Sequence, residues 1–439
     1  ESPQVHQIPR FAGVFVFLPA GASMPYARRM HIGSARRRGP RGAVRDMSRA
    51  DLRLVPMTPR DPHEPARAAS SLELFFDLVF VVAVSISAVE LHHALTGGHI
   101  VDGVLSYAAV FFSIWWAWMN FTWFATAFDT DDWLYRLLTI VQMGGVLVLA
   151  AGVHSAFADG DFRIVTAGYV VMRLAMVAQW IRAFRGAGPA RAATVTYAIG
   201  ITAVQVLWVA ALLLPVGAFR LVIVGLILAE LAVPVIAESR APTPRNAHHI
   251  TERYGLFTLI LLGESLLASA NAVIHAVQDA ESLTPLIGIA VLTLAVTAAL
   301  WWIYFWPPHH LAIDRLGSPL LYGYGHYFVF AAAGAFSAGI EVEIDVLTGD
   351  SALMSPAASF TYTVPIAIFI GVVWLLAIRP HAGRAVNLIV PSGAVLVLID
   401  PLVPVPVALT AVILAGVVAA LIVSEPRAVD ADGGALVDV

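Results

Sequence analysis

Two carboxylates stand close together at the start of the first long apolar stretch of the chain, which runs from Ser71 to Leu91. Glu73 and Asp77 are four residues apart, so a helix would place them on one face. An acidic residue at the centre of a membrane helix costs roughly 2.5 to 3.5 kcal/mol, and such residues usually face a bundle interior or an aqueous path. We therefore expect Asp77 to have a functional role. Glu73 lies in the first helical turn, where a carboxylate complements the helix dipole and Ser70 caps the helix, which favours a structural role.

Two further charges are expected near the midplane of a membrane. A rise of about 1.5 Å per residue places Arg173 roughly 16 Å along the fourth predicted span and Glu264 roughly 15 Å along the seventh. Because either charge alone would be uncompensated in hydrocarbon, we predict that they pair. Such a pair either fixes the packing of helices or takes part in coupling or substrate binding, and the sequence leaves both roles open.

Glu230 and His326 complete the set of candidate functional residues. Glu230 lies roughly 12 Å from the end of the sixth span, and Asp77 lies roughly 9 Å from the end of the first span on the same side. We therefore expect the two carboxylates to share a vestibule, where they would chelate a cation or hold a proton between them. His326, which lies more than one turn into the ninth span, is the candidate titrating group.

The sequence contains no recognisable catalytic or metal-binding motif. Histidines occur as adjacent pairs at 92–93, 248–249 and 309–310. Adjacent residues point in different directions on a helix, so we interpret these pairs as helix-end or loop residues and not as a metal-binding face. The chain has no cysteine, which excludes disulfides, thiolate metal sites and cysteine nucleophiles. We predict a protein that is not an enzyme and that binds no metal, cofactor or nucleic acid.

Composition and hydropathy define the elements that must position these residues. The chain is 59% hydrophobic and 13% charged, against about 25% charged residues in soluble domains. Apolar segments of about 20 residues alternate with short polar breaks from Leu72 onward, which predicts an all-α polytopic membrane protein surrounded by the lipid bilayer. We place about twelve transmembrane helices, at residues 72–93, 104–127, 134–157, 162–184, 192–214, 217–238, 254–276, 284–306, 319–342, 357–378, 384–400 and 402–424.

The positions of the arginines predict the topology. Arg136, Arg182 and Arg245 lie in loops or helix ends on one side of the predicted bundle, whereas Arg163 and Arg220 lie on the other side. Because cytoplasmic loops are enriched in Lys and Arg, we predict a multi-pass protein of the cytoplasmic (inner) membrane whose N-terminus and C-terminus are both cytoplasmic.

We divide the chain into three parts. Residues 1–70 are rich in Arg and Pro and have no sustained apolar period, which predicts a disordered basic cytoplasmic arm. Residues 71–425 form the transmembrane domain, and residues 426–439 form a short cytoplasmic tail. Trp115-Trp116 and Trp301-Trp302 occupy similar places in the second and eighth spans, which indicates two six-helix repeats, 71–240 and 250–425.

Several ordered motifs between residue 72 and about residue 345 resemble those of a known family. They are Glu73 to Phe80, Phe128 to Asp132 with Tyr135 and Arg136, Tyr169 to Arg173, Glu252 to Phe257 with Gly263 to Ser265, and Tyr324 to Tyr327. This pattern resembles low temperature requirement protein A (LtrA), a family of bacterial polytopic membrane proteins. The resemblance implies an inner-membrane protein linked to growth at low temperature, and it marks as motif residues Glu73, Phe76, Asp129, Asp132, Arg136, Glu252 and Arg253. Ile86 departs from the family pattern, which has Gln there.

Two functional hypotheses follow. The leading one is a transporter or channel for a small solute or ion, with a path lined by Asp77, Arg173, Glu230, Glu264 and His326. The alternative is a non-transporting membrane scaffold or stress-adaptation factor, in which the buried charges only hold helices together. Phe75-Phe76-Asp77 is also similar to the Phe-Ser-Asp signature on the first helix of a class of non-canonical potassium channels, with Phe76 in place of Ser.

Overall fold

The computed structural model describes residues 54–64, 67–278, 283–315, 319–405 and 407–424. The first 53 residues of the predicted basic arm and the predicted tail at 426–439 lie outside these ranges. The described part of the chain is helical and contains no β-strand. This confirms the predicted all-α class.

Fourteen helices follow one another in the described ranges. They are α1 (Ser71–Thr96), α2 (Ile100–Phe128), α3 (Trp133–Ala151), α4 (Val153–Ala158), α5 (Arg163–Ala183), α6 (Arg191–Ala211), α7 (Val216–Arg240), α8 (Ala247–Gln278), α9 (Leu283–Phe305), α10 (His309–Arg315), α11 (Pro319–Thr348), α12 (Ala357–Val373), α13 (Arg384–Ile399) and α14 (Ala408–Ser424). A π-helical segment, Trp374–Ile378, extends α12.

The helices match the predicted spans. Among the described residues, 11 helices are long and apolar enough to cross a membrane, and α14 is a shorter apolar helix. The third predicted span is divided at Gly152 into α3 and α4. The backbone of α5 passes so close to this point that a Cβ atom on Gly152 would lie 2.6 Å from the Val165 nitrogen. The chain is therefore a polytopic helical membrane protein.

Short polar motifs set where the helices begin. Ser70 and Glu73 form a capping box at the start of α1, in which the Ser70 backbone N–H donates to the Glu73 carboxylate at 2.8 Å and the Glu73 N–H donates to the Ser70 hydroxyl at 3.3 Å. The predicted helix-start role of Glu73 is confirmed by these bonds. At the start of α3 the Asp132 carboxylate accepts a bond from the Tyr135 N–H at 2.9 Å. These caps satisfy backbone donors that have no partner within their helices.

Glycines allow two pairs of helices to pack closely. A Cβ atom on Gly168 of α5 would lie 2.3 Å from the Leu149 nitrogen of α3. A Cβ atom on Gly339 of α11 would lie 2.5 Å from the Thr361 oxygen of α12. Small residues at such crossings let helix backbones approach in a membrane. The two contacts join the third predicted span to the fourth and the ninth to the tenth, so they occupy equivalent places in the two predicted repeats.

Residues 54–64 form an ordered strap across the side of the bundle where α1 begins, which we call the Ser71 side; α1 ends at the Thr96 side. The Val55 N–H donates to Asp132 at 3.0 Å, and the Arg60 N–H donates to the Ala127 carbonyl at 2.9 Å. Met57 is buried, and a Cβ atom on Gly186 would lie 2.2 Å from its carbonyl oxygen. This segment belongs to the predicted disordered arm, but it is ordered because helix ends of the bundle supply partners for its backbone.

Candidate functional site

A cluster of four ionisable residues joins α1 to α8. Arg253 of α8 donates from Nε to Asp77 Oδ2 at 3.0 Å and from Nη2 to Asp77 Oδ1 at 2.6 Å. Its Nη1 lies 2.9 Å from Glu73 Oε1, and His249 Nε2 lies 3.3 Å from the same oxygen. All four side chains are at most 2% exposed. We call Glu73, Asp77, His249 and Arg253 the Arg253 cluster.

Tryptophan and phenylalanine side chains hold the Arg253 cluster in place. Trp118 of α2 donates from Nε1 to Asp77 Oδ1 at 2.7 Å. Phe76, one of the motif residues, packs between Phe80 and Phe121, with ring centroids 4.5 and 4.0 Å away. Asp77 therefore accepts three hydrogen bonds inside an apolar shell, and charge-assisted, two-pronged contacts of this kind are among the stronger hydrogen bonds in proteins.

The Arg253 cluster changes three sequence-based assignments. Glu73 and Asp77 were assigned separate roles, but both contact Arg253. Arg253 was noted only as a motif residue, and its partners were missed. His249 lies in the first turn of α8, as predicted for a helix-end residue, but its side chain is fully buried beside Glu73, which was not predicted. The sequence placed Arg253 just before the seventh predicted span, which was predicted to begin at residue 254, whereas α8 begins at Ala247 and brings Arg253 inside the helix.

Glu230 is the centre of a second buried cluster, which lies within α2, α5, α6 and α7. Its Oε2 accepts bonds from Trp116 Nε1 and Arg173 Nη2, both at 2.9 Å. Its Oε1 accepts bonds from the Tyr169 hydroxyl at 3.0 Å and Gln205 Nε2 at 2.8 Å. We call these five residues the Glu230 cluster. Four donors occupy the carboxylate, and the Arg173 and Glu230 side chains are at most 1% exposed.

The predicted pairing of Arg173 with Glu264 is wrong, as is the vestibule that Asp77 and Glu230 were expected to share. Arg173 pairs with Glu230, which reaches it from a helix of the same half of the chain. Asp77 pairs with Arg253 and has no described contact with Glu230. The partner of each charge depends on which helices are adjacent, and depth along a helix does not determine that.

Glu264 belongs to a third group of polar residues, on the half of the bundle nearer the Thr96 side. The Glu264 carboxylate lies near Ser85 of α1 and near Glu341 of α11, and the Ser85 hydroxyl donates to the Val81 carbonyl at 3.0 Å. His92 Nδ1 lies 3.1 Å from Glu341 Oε2, and His92 Nε2 lies 2.6 Å from Asp345 Oδ2. We call Ser85, His92, Glu264, Glu341 and Asp345 the His92 cluster.

A fully buried apolar layer separates the Arg253 cluster from the His92 cluster. Phe80 and Val84 of α1 lie between Asp77 and Ser85, which are about 12 Å apart along the helix. Phe257 of α8 stacks on Trp118, with ring centroids 4.5 Å apart, and packs edge-on against Phe330 of α11 at 5.1 Å. The apolar layer consists of Phe80, Val84, Trp118, Phe257 and Phe330.

His326 lies in a separate aromatic pocket. Its Nδ1 lies 2.8 Å from the Tyr322 carbonyl, so Nδ1 must donate, and Nε2 accepts from the Tyr304 hydroxyl at 3.1 Å. These partners suit the neutral ring. His309, on the short helix α10 outside the spans, is bonded in the same manner to Tyr304 and Tyr322, and burial lowers the pKa of His309 to about 4. His326 therefore does not join Asp77, Glu230 or Glu264 in one path.

The remaining motif residues lie at the Ser71 side. Asp132 pairs with Arg182, and Asp129 lies 3.5 Å from Arg60 of the strap. Arg136 pairs with Asp131 at 2.7 Å on the exposed surface. Burial raises the pKa of the Asp129 carboxyl, and the nearby charge of Glu73 adds to this effect.

A polar vestibule of about 850 Å³ opens on the Ser71 side. Arg67, Asn246, His248 and Glu252 are among the residues that line it. Asn246 accepts a bond from the His249 backbone N–H at 3.0 Å, so the vestibule reaches the wall of the Arg253 cluster. Within the described ranges, no group of three or more His, Asp or Glu side chains is arranged to hold a metal ion.

These features define a class of protein: a polytopic helical membrane protein with ionisable residues buried between its helices. Comparison with known families gives a narrower assignment. The model of the bacterial low temperature requirement A protein (LtrA) family matches residues 68–423, and the chain belongs to this family. It is also similar to an uncharacterized protein of Rhizobium meliloti (strain 1021), with 29% identity over 290 residues that cover 61% of this chain and 68% of the relative. No solved structure shows significant similarity to the chain.

Proposed function

We propose that the protein is a transporter or channel for a small ion or solute, and that a small cation moves along the contact between α1, α8 and α11. The observation that carries this proposal is the succession of a charged cluster, a thin apolar layer and a second charged cluster along these three helices. Ionisable residues inside a membrane are costly and mark ion or substrate paths more often than they mark stable packing. An apolar constriction between polar segments is a known means of gating.

The charges of the His92 cluster favour a cation. Glu264, Glu341 and Asp345 carry carboxylates, and His92 contacts two of them. Rings or groups of acidic side chains select cations in channels. The His92, Glu341 and Asp345 side chains are partly exposed, and we infer that the cluster is reached from the Thr96 side. The polar vestibule gives comparable access to the Arg253 cluster from the Ser71 side.

The predicted repeats agree with this arrangement. α1 and α8 are the first helices of the two repeats, and the Arg253 cluster joins them. Parallel repeats in transporters place their binding sites between the two halves of the chain. We infer from the arginine distribution that the membrane is the cytoplasmic one and that both termini are cytoplasmic. A periplasmic reporter enzyme that is active when fused to the C-terminus would contradict this topology.

The alternative function, a non-transporting scaffold, has one specific observation in its favour. The Glu230 carboxylate accepts four hydrogen bonds from three neighbouring helices. A carboxylate with all its acceptor sites occupied holds helices together and has no free site for a substrate. We therefore assign the Glu230 cluster a structural role and place the transport path at α1, α8 and α11.

The test is cation flux through liposomes that contain the purified protein. We expect flux of protons, sodium or potassium above that of empty vesicles, and we expect Glu264→Gln to lower it about tenfold, equivalent to about 1.4 kcal/mol in the barrier. Glu90→Gln is the matched control, because Glu90 lies on α1, one of the three helices of the path, but pairs with His154 outside the path. Wild-type flux equal to that of empty vesicles for all three cations would favour the scaffold.

A further inference from the structure

A cavity of about 530 Å³ lies between α2, α7 and α11, and none of its lining residues belongs to the three polar clusters. Along α2 it extends from Asp102 to Trp115, which is about 20 Å at 1.5 Å per residue. Along α7 it extends over a similar length, from Phe219 to Leu231. Both helices begin at the Thr96 side, so the cavity runs from that side into the membrane-spanning part of the bundle.

The inner part of this cavity offers few groups to a polar molecule. The Tyr324 hydroxyl donates to the Leu231 carbonyl at 2.8 Å, and the Tyr327 hydroxyl donates to the Ala108 carbonyl at 2.9 Å. Trp115 Nε1 has no hydrogen-bond partner among the described residues, which leaves one unpaired donor in the inner wall. An ordered buried water makes about two to four hydrogen bonds. An apolar molecule therefore fits this space better than water does.

The cavity is open toward the hydrocarbon of the membrane. Its rim carries one exposed apolar residue from each helix, since Leu105 of α2, Val224 of α7 and Phe328 of α11 are 63%, 60% and 54% exposed. Large apolar side chains exposed on membrane-spanning helices face lipid. At the Thr96 end the wall includes the polar side chains of Asp102 and Ser106. The length of about 20 Å is that of one leaflet, because a bilayer is about 40 to 45 Å thick with its headgroup regions.

We propose that the cavity binds one acyl chain of a phospholipid from the leaflet on the Thr96 side, with the headgroup at the membrane surface near Asp102. A chain that enters gives up no hydrogen bond, and it restores the dispersion contacts that an empty cavity denies to its wall. It also packs against Phe112, whose ring stacks on Trp116 with 5.8 Å between centroids, and Trp116 donates to Glu230. The bound lipid therefore supports the Glu230 cluster, and the proposal does not rest on cation transport.

The test is photo-crosslinking of the purified protein in liposomes that contain a phospholipid with a diazirine group in one acyl chain. Peptide mapping is expected to find more adducts at Ile223 and Ile227, which are half-buried in the cavity wall, than at Leu388 of α13, which is 69% exposed. Lipid that only surrounds the protein would label the most exposed positions best. Adducts at Ile223 and Ile227 that are no more frequent than at Leu388 would overturn the proposal.

Ala109→Phe provides a second test, because Ala109 lines the cavity and a phenyl ring there fills it. We expect the adducts at Ile223 and Ile227 to fall severalfold, and native mass spectrometry to show one retained phospholipid fewer than in the wild type. Val104→Phe is the matched control and is expected to change neither result, because Val104 is exposed on α2 outside the cavity. Equal lipid retention in the wild type and Ala109→Phe would contradict the proposal. So would a wild-type dimer that Ala109→Phe abolishes, because a second copy would then cover the cavity. If Ala109→Phe does not fold, the adducts of the wild type decide.

Discussion

Arg253→Ala is expected to lower the free energy of unfolding by about 3 to 5 kcal/mol, because it leaves two buried carboxylates without their cation. Glu73 and Asp77 are both within 3.0 Å of the Arg253 guanidinium and both are shielded from water. The loss is measured from unfolding of the detergent-solubilised protein, followed by circular dichroism.

An exposed arginine gives the control for this prediction. Arg136 pairs with Asp131 at 2.7 Å, but more than half of each side chain is exposed. Exposed ion pairs contribute about 1 kcal/mol or less, so Arg136→Ala is expected to have a small effect. The combined change of Arg253→Met, Asp77→Asn and Glu73→Gln removes all three charges and is expected to recover part of the lost stability. Equal losses for Arg253→Ala and Arg136→Ala would contradict the buried character of the cluster.

Glu230→Ala is the second change with a large expected effect, again about 3 to 5 kcal/mol. It removes the acceptor from four buried donors and leaves the Arg173 guanidinium unpaired at mid-membrane depth. Adding Arg173→Met to this variant is expected to restore part of the stability. A loss below about 1 kcal/mol would show that the cluster does not hold the helices together.

A second variant of Glu230 distinguishes a structural role of the Glu230 cluster from a role in transport. Glu230→Gln keeps the shape of the side chain, and for the protein that folds we expect cation flux equal to that of the wild type. Asp77→Asn is the contrasting variant, because it weakens the bond to Arg253 beside the proposed path, and we expect it to change flux. Loss of flux in Glu230→Gln without loss of fold would move the path to the first half of the chain.

The positions of the membrane-spanning helices and the cap of α1 could be predicted from the sequence. Lipid permits few structures other than apolar helices of about 20 residues, so hydropathy alone places the spans. Ser70 and Glu73 are only three residues apart, and a capping box is a local motif that depends on nothing else in the fold. Both features are determined within a single helix.

The partners of the buried charged residues could not be predicted from the sequence. A constant rise per residue predicts a depth for Arg173 and Glu264 from the predicted helix starts, but their partners depend on which helices are neighbours and how each is rotated about its axis. Arg173 pairs with Glu230 because α5, α6 and α7 pack together. Glu264 lies near Ser85 instead. The burial of His249 could not be predicted for a related reason. The ordered strap and α2 cover the helix end on which His249 lies.

The measurement that most directly tests the central claim is the accessibility of α1 to water. The chain has no cysteine, so single cysteines can be introduced without background. Ser85→Cys faces Glu264 in the proposed path, and Val82→Cys lies one turn away on the exposed, lipid-facing side of the helix. We predict that a membrane-impermeant thiol reagent added from the Thr96 side labels Ser85→Cys and does not label Val82→Cys. An unreactive Ser85→Cys, or equal labelling of the two positions, would contradict a path along α1, α8 and α11.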